Sequence, residues 1–318
     1  MSEAVLAVSF TGPHVAVQDA GRPGYMRFGV PASGPMDRLS YLAANAALGN
    51  LGNQPAIEIS MGGLALECVS GAVTFAVAGG GFIVEHAGES VGSWVVKTLR
   101  AGERLTIRPG HWGSWTYLAF AGDLITDRWL DSASTHALSG FGGGRLKQGQ
   151  HLTVTDARSE TDRVGTIPCP VTARPRAAIN VVLGPQDRFF SRETIEAFLA
   201  TPYRLTDSYD RMGVRLHGPA LSPSAPLDMP SEPVMKGSVQ VAGDGVPTLL
   251  LADHQTTGGY PKIATVLDSD LDALVQHRPR DLIVFREVMP AQAIERARMR
   301  AQNSTRYLAM VTERTILS

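Results

Sequence analysis

A succession of short apolar runs, each stopped by glycine or proline, sets the first limit on how this chain folds. Ile57 and Ile59, Leu64-Ala65-Leu66, Val73–Ala78, Phe82-Ile83-Val84, Trp94-Val95-Val96, Leu105-Thr106-Ile107 and Ser114–Ala121 follow one another at close spacing. Runs of that length suit strands and are too short for most helices. Many of them in a row point to a barrel or a sandwich. The composition agrees, with 33 Gly and 20 Pro among 318 residues and only 19% charged residues. Turns are plentiful and long solvated helices are few.

The second half repeats the scheme coarsely. Ala178–Leu183, Tyr203-Arg204-Leu205, the run through Ser208–Arg215, Ser238–Val241, Thr248–Ala252, Ile263–Leu267 and Asp281–Arg286 read as strands. Helices are expected in four places. One starts near Pro35 and runs to Leu48, with Leu39, Leu42 and Ala46 on one face and Gly49 as its stop. A second follows Ser191, whose hydroxyl suits an N-cap, and carries Ile195, Phe198 and Leu199. A third covers Asp270–Leu274, and a charged surface helix covers Gln292–Gln302. The polar stretch Ser159–Gly165 marks the boundary, giving domains 1–160 and 161–318. No exact internal repeat accompanies the resemblance between the halves.

Composition also narrows the function. A formal net charge of -1 gives no basic surface for nucleic acid or anionic membrane. No apolar run reaches the ~18 residues of a membrane span. Two distant cysteines, Cys68 and Cys169, and no secretory leader indicate a reducing, cytoplasmic setting. The eight histidines show no ligand spacing, so no metal site is expected. Neither a phosphate-binding Gly-x-x-x-x-Gly-Lys loop nor a Gly-x-Ser-x-Gly elbow is present. The triple glycines at 79–81 and 142–144 suit bulges or turns better than phosphate cradles.

Chemistry therefore falls to polar loops. Residues 18–37 form one, rich in Gly and Pro, with Asp19, Arg22, Ser33 and Asp37. Residues 131–145 form another, ending at Arg145. The third, Asp253-His254-Gln255-Thr256-Thr257-Gly258-Gly259-Tyr260-Pro261-Lys262, lies between two apolar runs and crowds hydrogen-bonding groups around a Gly-Gly pair. Arg side chains hold carboxylates or phosphates in bidentate fashion, and Lys262 is suited to an anionic substrate or to developing charge. A structural ion pair accounts for Arg22, Arg145, Arg211 or Lys262 equally well. Glu58 opposes Ile57 and Ile59 on a strand, facing a cavity or solvent.

These residues carry a family resemblance. Gly12-Pro13, Val17-Gln18-Asp19-x-Gly21-Arg22-x-Gly24, Gly29-Val30-Pro31-x-Ser33-Gly34-x-Met36-Asp37, Ala44-Asn45 and Leu48-Gly49-Asn50 form a first block, with Glu58 and Gly63. Arg211-Met212-Gly213-x-Arg215-Leu216, Ser231-Glu232, Gly237-x-Val239-Gln240-Val241 and Asp253-x-Gln255–Lys262 form a second. The whole resembles the biotin-dependent carboxyltransferase, or allophanate hydrolase subunit 2, family, which includes KipA-like proteins and the C subunit of 5-oxoprolinase. The resemblance implies a mainly β fold of two tandem cyclophilin-like β-barrel domains with a few short helices. It implies a KipI-like B subunit and a LamB/YcsF-like A subunit as partners. Under this reading the complex opens a lactam, 5-oxo-L-proline, to L-glutamate, with ATP and Mg entering through the complex. Biotin enters only under an alternative, carboxyl transfer to urea-like amides. A KipA-like regulator that binds a KipI-like kinase inhibitor is a further alternative. For the first reading, Lys262, Gln255, Thr256, Thr257, Tyr260 and Asp37 are the catalytic candidates. Arg22, Ser33, Arg145, Arg211 and His254 are the substrate- or phosphate-binding candidates. His254 stands where the family usually has Arg, so charge there depends on pH.

Overall fold

The computed structural model describes residues 2–224 and 229–313, so part of the Pro/Ser-rich stretch between Pro219 and Pro233 lies outside the described residues. The chain is mainly β, with four α-helices among the described residues. It forms two compact units. One takes the chain up to Arg22, Ser33–Arg174 and the chain from Asn303; the other takes Pro23–Ala32 and Pro175–Gln302. The sequence reading places a single boundary at 160/161. The contact pattern places the main one at Arg174/Pro175 and assigns two further segments across it.

In the first unit, Glu3–Thr11 is the organising strand. Ala4, Leu6 and Val8 are buried and their neighbours less so, which is the period-2 pattern of a strand with one face inward. It pairs antiparallel with Leu64–Ser70 and His151–Thr155 in a seven-stranded sheet. A second sheet has six strands, with Trp115–Phe120 near its middle, between Ala56–Ser60 and Ala72–Ala78. Every residue of Trp115–Phe120 is buried because both of its faces are covered. Leu118 and Phe120 join Leu6, Leu66 and Phe75 in one core, while Tyr117 and Ala119 join Tyr41, Ala43 and Ala44 of helix α1 (Arg38–Ala47) in another. Full burial of each large side chain contributes about 1.5–3 kcal/mol.

Helix α1 starts later than Pro35 because Asp37 is its N-cap. Its carboxylate accepts from Ser40 N at 3.0 Å and from the Ser40 hydroxyl at 2.6 Å. Glu58 neither faces solvent nor lines an open cavity. It is fully buried and accepts from Met36 N at 2.8 Å and the Tyr117 hydroxyl at 2.7 Å. Burial, with Glu58 alongside, pushes the Tyr117 phenol well above its ordinary range, so it stays a donor.

The second unit is a closed barrel. Its strands run in the order Ala178–Leu183, Lys262–Val266, Ser238–Val241, Pro247–Leu250, Gly213–His217, Tyr203–Tyr209 and Leu282–Glu287. Neighbours are antiparallel except at the closure, where Ala178–Leu183 and Leu282–Glu287 run parallel. Phe198 of helix α2 (Arg192–Ala200) stacks on Phe285 with ring centroids 4.6 Å apart, and Tyr203 completes the aromatic cluster. Ser191 caps α2 by accepting from Thr194 N at 3.2 Å. Helix α3 spans Asp268–Leu274, and helix α4 spans Pro290–Thr312, longer than the expected Gln292–Gln302. No helix among the described residues is long and apolar enough to cross a membrane.

Candidate functional site

The barrel strand that opens at Lys262 carries a deeply buried charge. Lys262 begins the strand rather than ending the loop before it, and its side chain is only 2% exposed. Among the described residues its ammonium has no hydrogen-bond partner. Its closest counter-charge is Glu232 Oε2 at 3.8 Å, an ion pair rather than a hydrogen bond. Burial pushes the Lys262 amine below its ordinary range, and Glu232 pulls it partly back. A cation so poorly compensated gains strongly from a bound anion.

Three glutamine amides and a short ribbon surround this charge. Lys262 N donates to Gln186 Oε1 at 3.1 Å, and Gln186 Nε2 donates to Glu232 Oε2 at 2.6 Å. Gln240 lies directly across the strand pair from Lys262, at a bulge after Val239. Its amide nitrogen donates to Tyr260 O at 3.4 Å and its oxygen accepts from Gln255 Nε2 at 3.0 Å. Glu232-Pro233 pairs with Thr257-Gly258 in a two-stranded ribbon, which ties the Glu232 carboxylate to the 253–262 loop. Gly258 brings the ribbon close to Gln240, since a Cβ on it would lie 2.7 Å from Gln240 Nε2 and displace that amide. Thr256 supplies a backbone oxygen to Val234 N at 3.1 Å, Thr257 is exposed and Tyr260 is 47% exposed.

The base of the loop is clamped by charge. Arg211 donates to Asp253 from Nε at 2.9 Å and from Nη2 at 3.0 Å, with both residues buried. Asp253 N also donates to Arg211 O at 2.8 Å. This bidentate pair fixes where the loop departs from the barrel, so Arg211 acts here as an anchor. His254 is buried, with Nδ1 2.6 Å from Gln255 O. Burial lowers its pKa below the usual histidine value, so it is the neutral imidazole at neutral pH. It borders an apolar depression of about 800 Å³ together with Lys236, Met235, Pro185 and Met26. Met26 comes from the 23–32 segment that belongs to this unit.

The remaining candidates belong to the first unit. Arg22 is buried, donates to Trp129 O at 3.3 Å and to Ser134 O, and lies 4.9 Å from the Trp129 ring centroid. Beside it Asp19 accepts from Ala133 N and the Ser132 hydroxyl, both at 2.6 Å, and from the Ser134 hydroxyl at 2.7 Å. Asp19 and Arg22 therefore share one buried network with Ser132, Ala133 and Ser134. Asp37 is the helix cap described above. Arg145 is exposed and donates to Ala137 O at 3.2 Å. Ser33 sits at φ 54° with its hydroxyl oxygen buried and unpartnered. Among the described residues no group of three or more His, Cys, Asp or Glu is arranged to hold a metal ion.

Glu232, Gln186 and Gln240 were not among the sequence candidates. Glu232 and Gln240 stood within the family-like motifs, while Gln186 read only as part of a turn. Replacing Glu232 by Gln tests the electrostatics. Removing the carboxylate removes what raises the Lys262 pKa, so the amine of Glu232→Gln loses its proton at lower pH than in the wild type. A lysine-selective NMR titration reads this directly, and an unmoved titration would contradict the pairing.

The comparisons place the chain in a family. The family description Carboxyltransferase domain, subdomain A and B, matches residues 28–287, and the chain belongs to that family. It is 35% identical to the 5-oxoprolinase C subunit of Haemophilus influenzae over 290 residues, covering 90% of this chain and 91% of that one. It is 32% identical to the 5-oxoprolinase C subunit of Escherichia coli over 275 residues, covering 86% and 87%. The crystal structure of Kluyveromyces lactis urea carboxylase superposes with a TM-score of 0.84 at 25% identity, covering 96% of this chain and 29% of that one.

Proposed function

We propose that this chain is the C subunit of an ATP-dependent 5-oxoprolinase, acting with a KipI-like B subunit and a LamB/YcsF-like A subunit. The observation that carries the reading is the buried, undercompensated Lys262 among three glutamine amides. 5-Oxoproline has a carboxylate and a cis lactam amide. Lys262 holds the carboxylate, and the anion restores the ammonium's full charge. Gln255 and Gln240 offer a donor and an acceptor that suit the lactam carbonyl and N–H. Thr256, Thr257 and Tyr260 form the loop over them. Phosphoryl transfer from ATP to the lactam oxygen, followed by water, breaks the ring C–N bond and yields glutamate, ADP and phosphate. Arg211 and His254 keep the loop placed rather than bind phosphate, and Asp37 and Arg22 hold their own unit together. Near-full-length similarity to two proteins named as the C subunit of 5-oxoprolinase supports this choice over others in the family.

The test is glutamate and ADP release from 5-oxoproline and ATP, with each of the three proteins omitted in turn. Activity should vanish when this chain is left out. A complex that forms but turns over only in the presence of a biotinylated partner and urea would support carboxyl transfer instead. That second reading draws on the likeness to the urea carboxylase structure.

A further inference from the structure

The first unit has a cavity of its own, of about 640 Å³, within the size range of small-molecule sites. Two of the chain's four tryptophans, Trp94 and Trp112, line it. The backbone is built around them. Trp94 sits at φ 73°, a left-handed conformation that a bulky residue adopts only under constraint, and its indole N–H donates to Gly80 O at 3.0 Å. The Ser93 hydroxyl donates to the same oxygen at 2.8 Å. Gly81 N donates to Trp112 O at 2.8 Å, which lays the 110–113 turn on the triple glycine. A Cβ on Gly81 would lie 2.3 Å from the Trp112 indole nitrogen, and one on Gly110 would lie 1.8 Å from Gly81 O. The glycines at 80–81 thus serve to hold an indole against bare backbone.

A guanidinium stands at this aromatic wall. Arg174 lies with its guanidinium carbon 5.5 Å from the Trp112 ring centroid, and His111 stands beside it in the lining. None of the described residues lining the cavity is Asp or Glu, and Arg174 forms no ion pair among the described residues. Ser90, Ser93 and Thr166 add hydroxyls, and burial keeps the Cys169 thiol protonated.

We propose that this cavity binds a flat-ringed organic anion, its ring against the Trp94–Trp112 wall and its acidic group at Arg174. Aromatic walls take planar rings, and a permanent guanidinium without a counter-ion takes a carboxylate or phosphate. The site lies wholly within the first unit and is independent of the Lys262 reading.

Tryptophan fluorescence titrations of the full chain test it, with benzoate and AMP as ring-bearing probes and inorganic phosphate as the ring-free one. At least one ring-bearing probe should quench saturably, with Kd at or below about 1 mM. Phosphate alone should not saturate in that range. Arg174→Gln, an exposed position, should weaken binding at least about tenfold, a loss of about 1.4 kcal/mol. Gly92→Leu, at a lining position where an added Cβ has open space, should weaken binding as well. Absence of saturable quenching by either ring-bearing probe would overturn the proposal. So would quenching of equal affinity in both variants, because the probe would then be bound elsewhere.

Discussion

Lys262→Met should lower 5-oxoproline turnover by the complete enzyme by about a hundred- to a thousand-fold, the usual cost of removing one strong electrostatic contact to the reacting system. The same change should leave the fold intact or make it more stable. Methionine is close to lysine in volume, and it ends the burial of a charge that Glu232 only partly compensates from 3.8 Å. The pH dependence follows from the direction of the shift. A lysine whose folded pKa is lowered binds its proton less tightly in the folded state than in the unfolded one. Wild-type stability therefore rises with pH as the pH climbs from the folded value to that of an ordinary lysine. The stabilisation of Lys262→Met is largest below that window and shrinks across it. Thermal unfolding at several pH values, beside turnover, measures both effects. Lost turnover with lost stability would make Lys262 a structural residue instead.

Breaking the loop anchor should have the largest effect on stability. Asp253→Leu leaves the buried Arg211 guanidinium without its bidentate partner, and Arg211→Met leaves the Asp253 carboxylate without its clamp. Removing one member of a buried pair costs about 3–5 kcal/mol, so Tm should fall by roughly 10 °C. The double variant should recover part of that loss, since no half of the clamp is then left facing an apolar replacement. Turnover should stay low in all three, because the loop that carries Gln255 and leads to Lys262 departs from this anchor. Denaturant unfolding and a double-mutant cycle test the account. Additive losses, with no coupling between the two positions, would contradict it.

Local chemistry explains which parts were legible beforehand. The strands Ala178–Leu183 and Ser238–Val241 fall where their apolar runs lie. The Ser191 cap was visible because capping uses neighbours in sequence. The sequence alone offers Asp37 as a catalytic carboxylate, and the structure shows it capping α1, because a cap and a catalytic carboxylate look alike before the helix start is known. What could not be seen was long-range pairing. Gln186 reaches Lys262 across 76 residues, and Asp19 reaches Ser134 across 115. Residues 18–37 read as one loop, yet Asp19 and Arg22 anchor one unit while Pro23–Ala32 belongs to the other. The first unit forms two sheets, with barrel closure seen in the second. Strand count alone does not choose between these arrangements.

The most direct measurement is a lysine-selective NMR titration of the protein, which has only four lysines: Lys97, Lys147, Lys236 and Lys262. One amine should titrate below the other three, and its signal should be missing from Lys262→Met. Adding 5-oxoproline to the assembled complex should raise that amine's pKa, because the substrate carboxylate favours the ammonium. Four amines titrating together, or a Lys262 signal indifferent to 5-oxoproline, would contradict the placement of the substrate's anion at this buried charge.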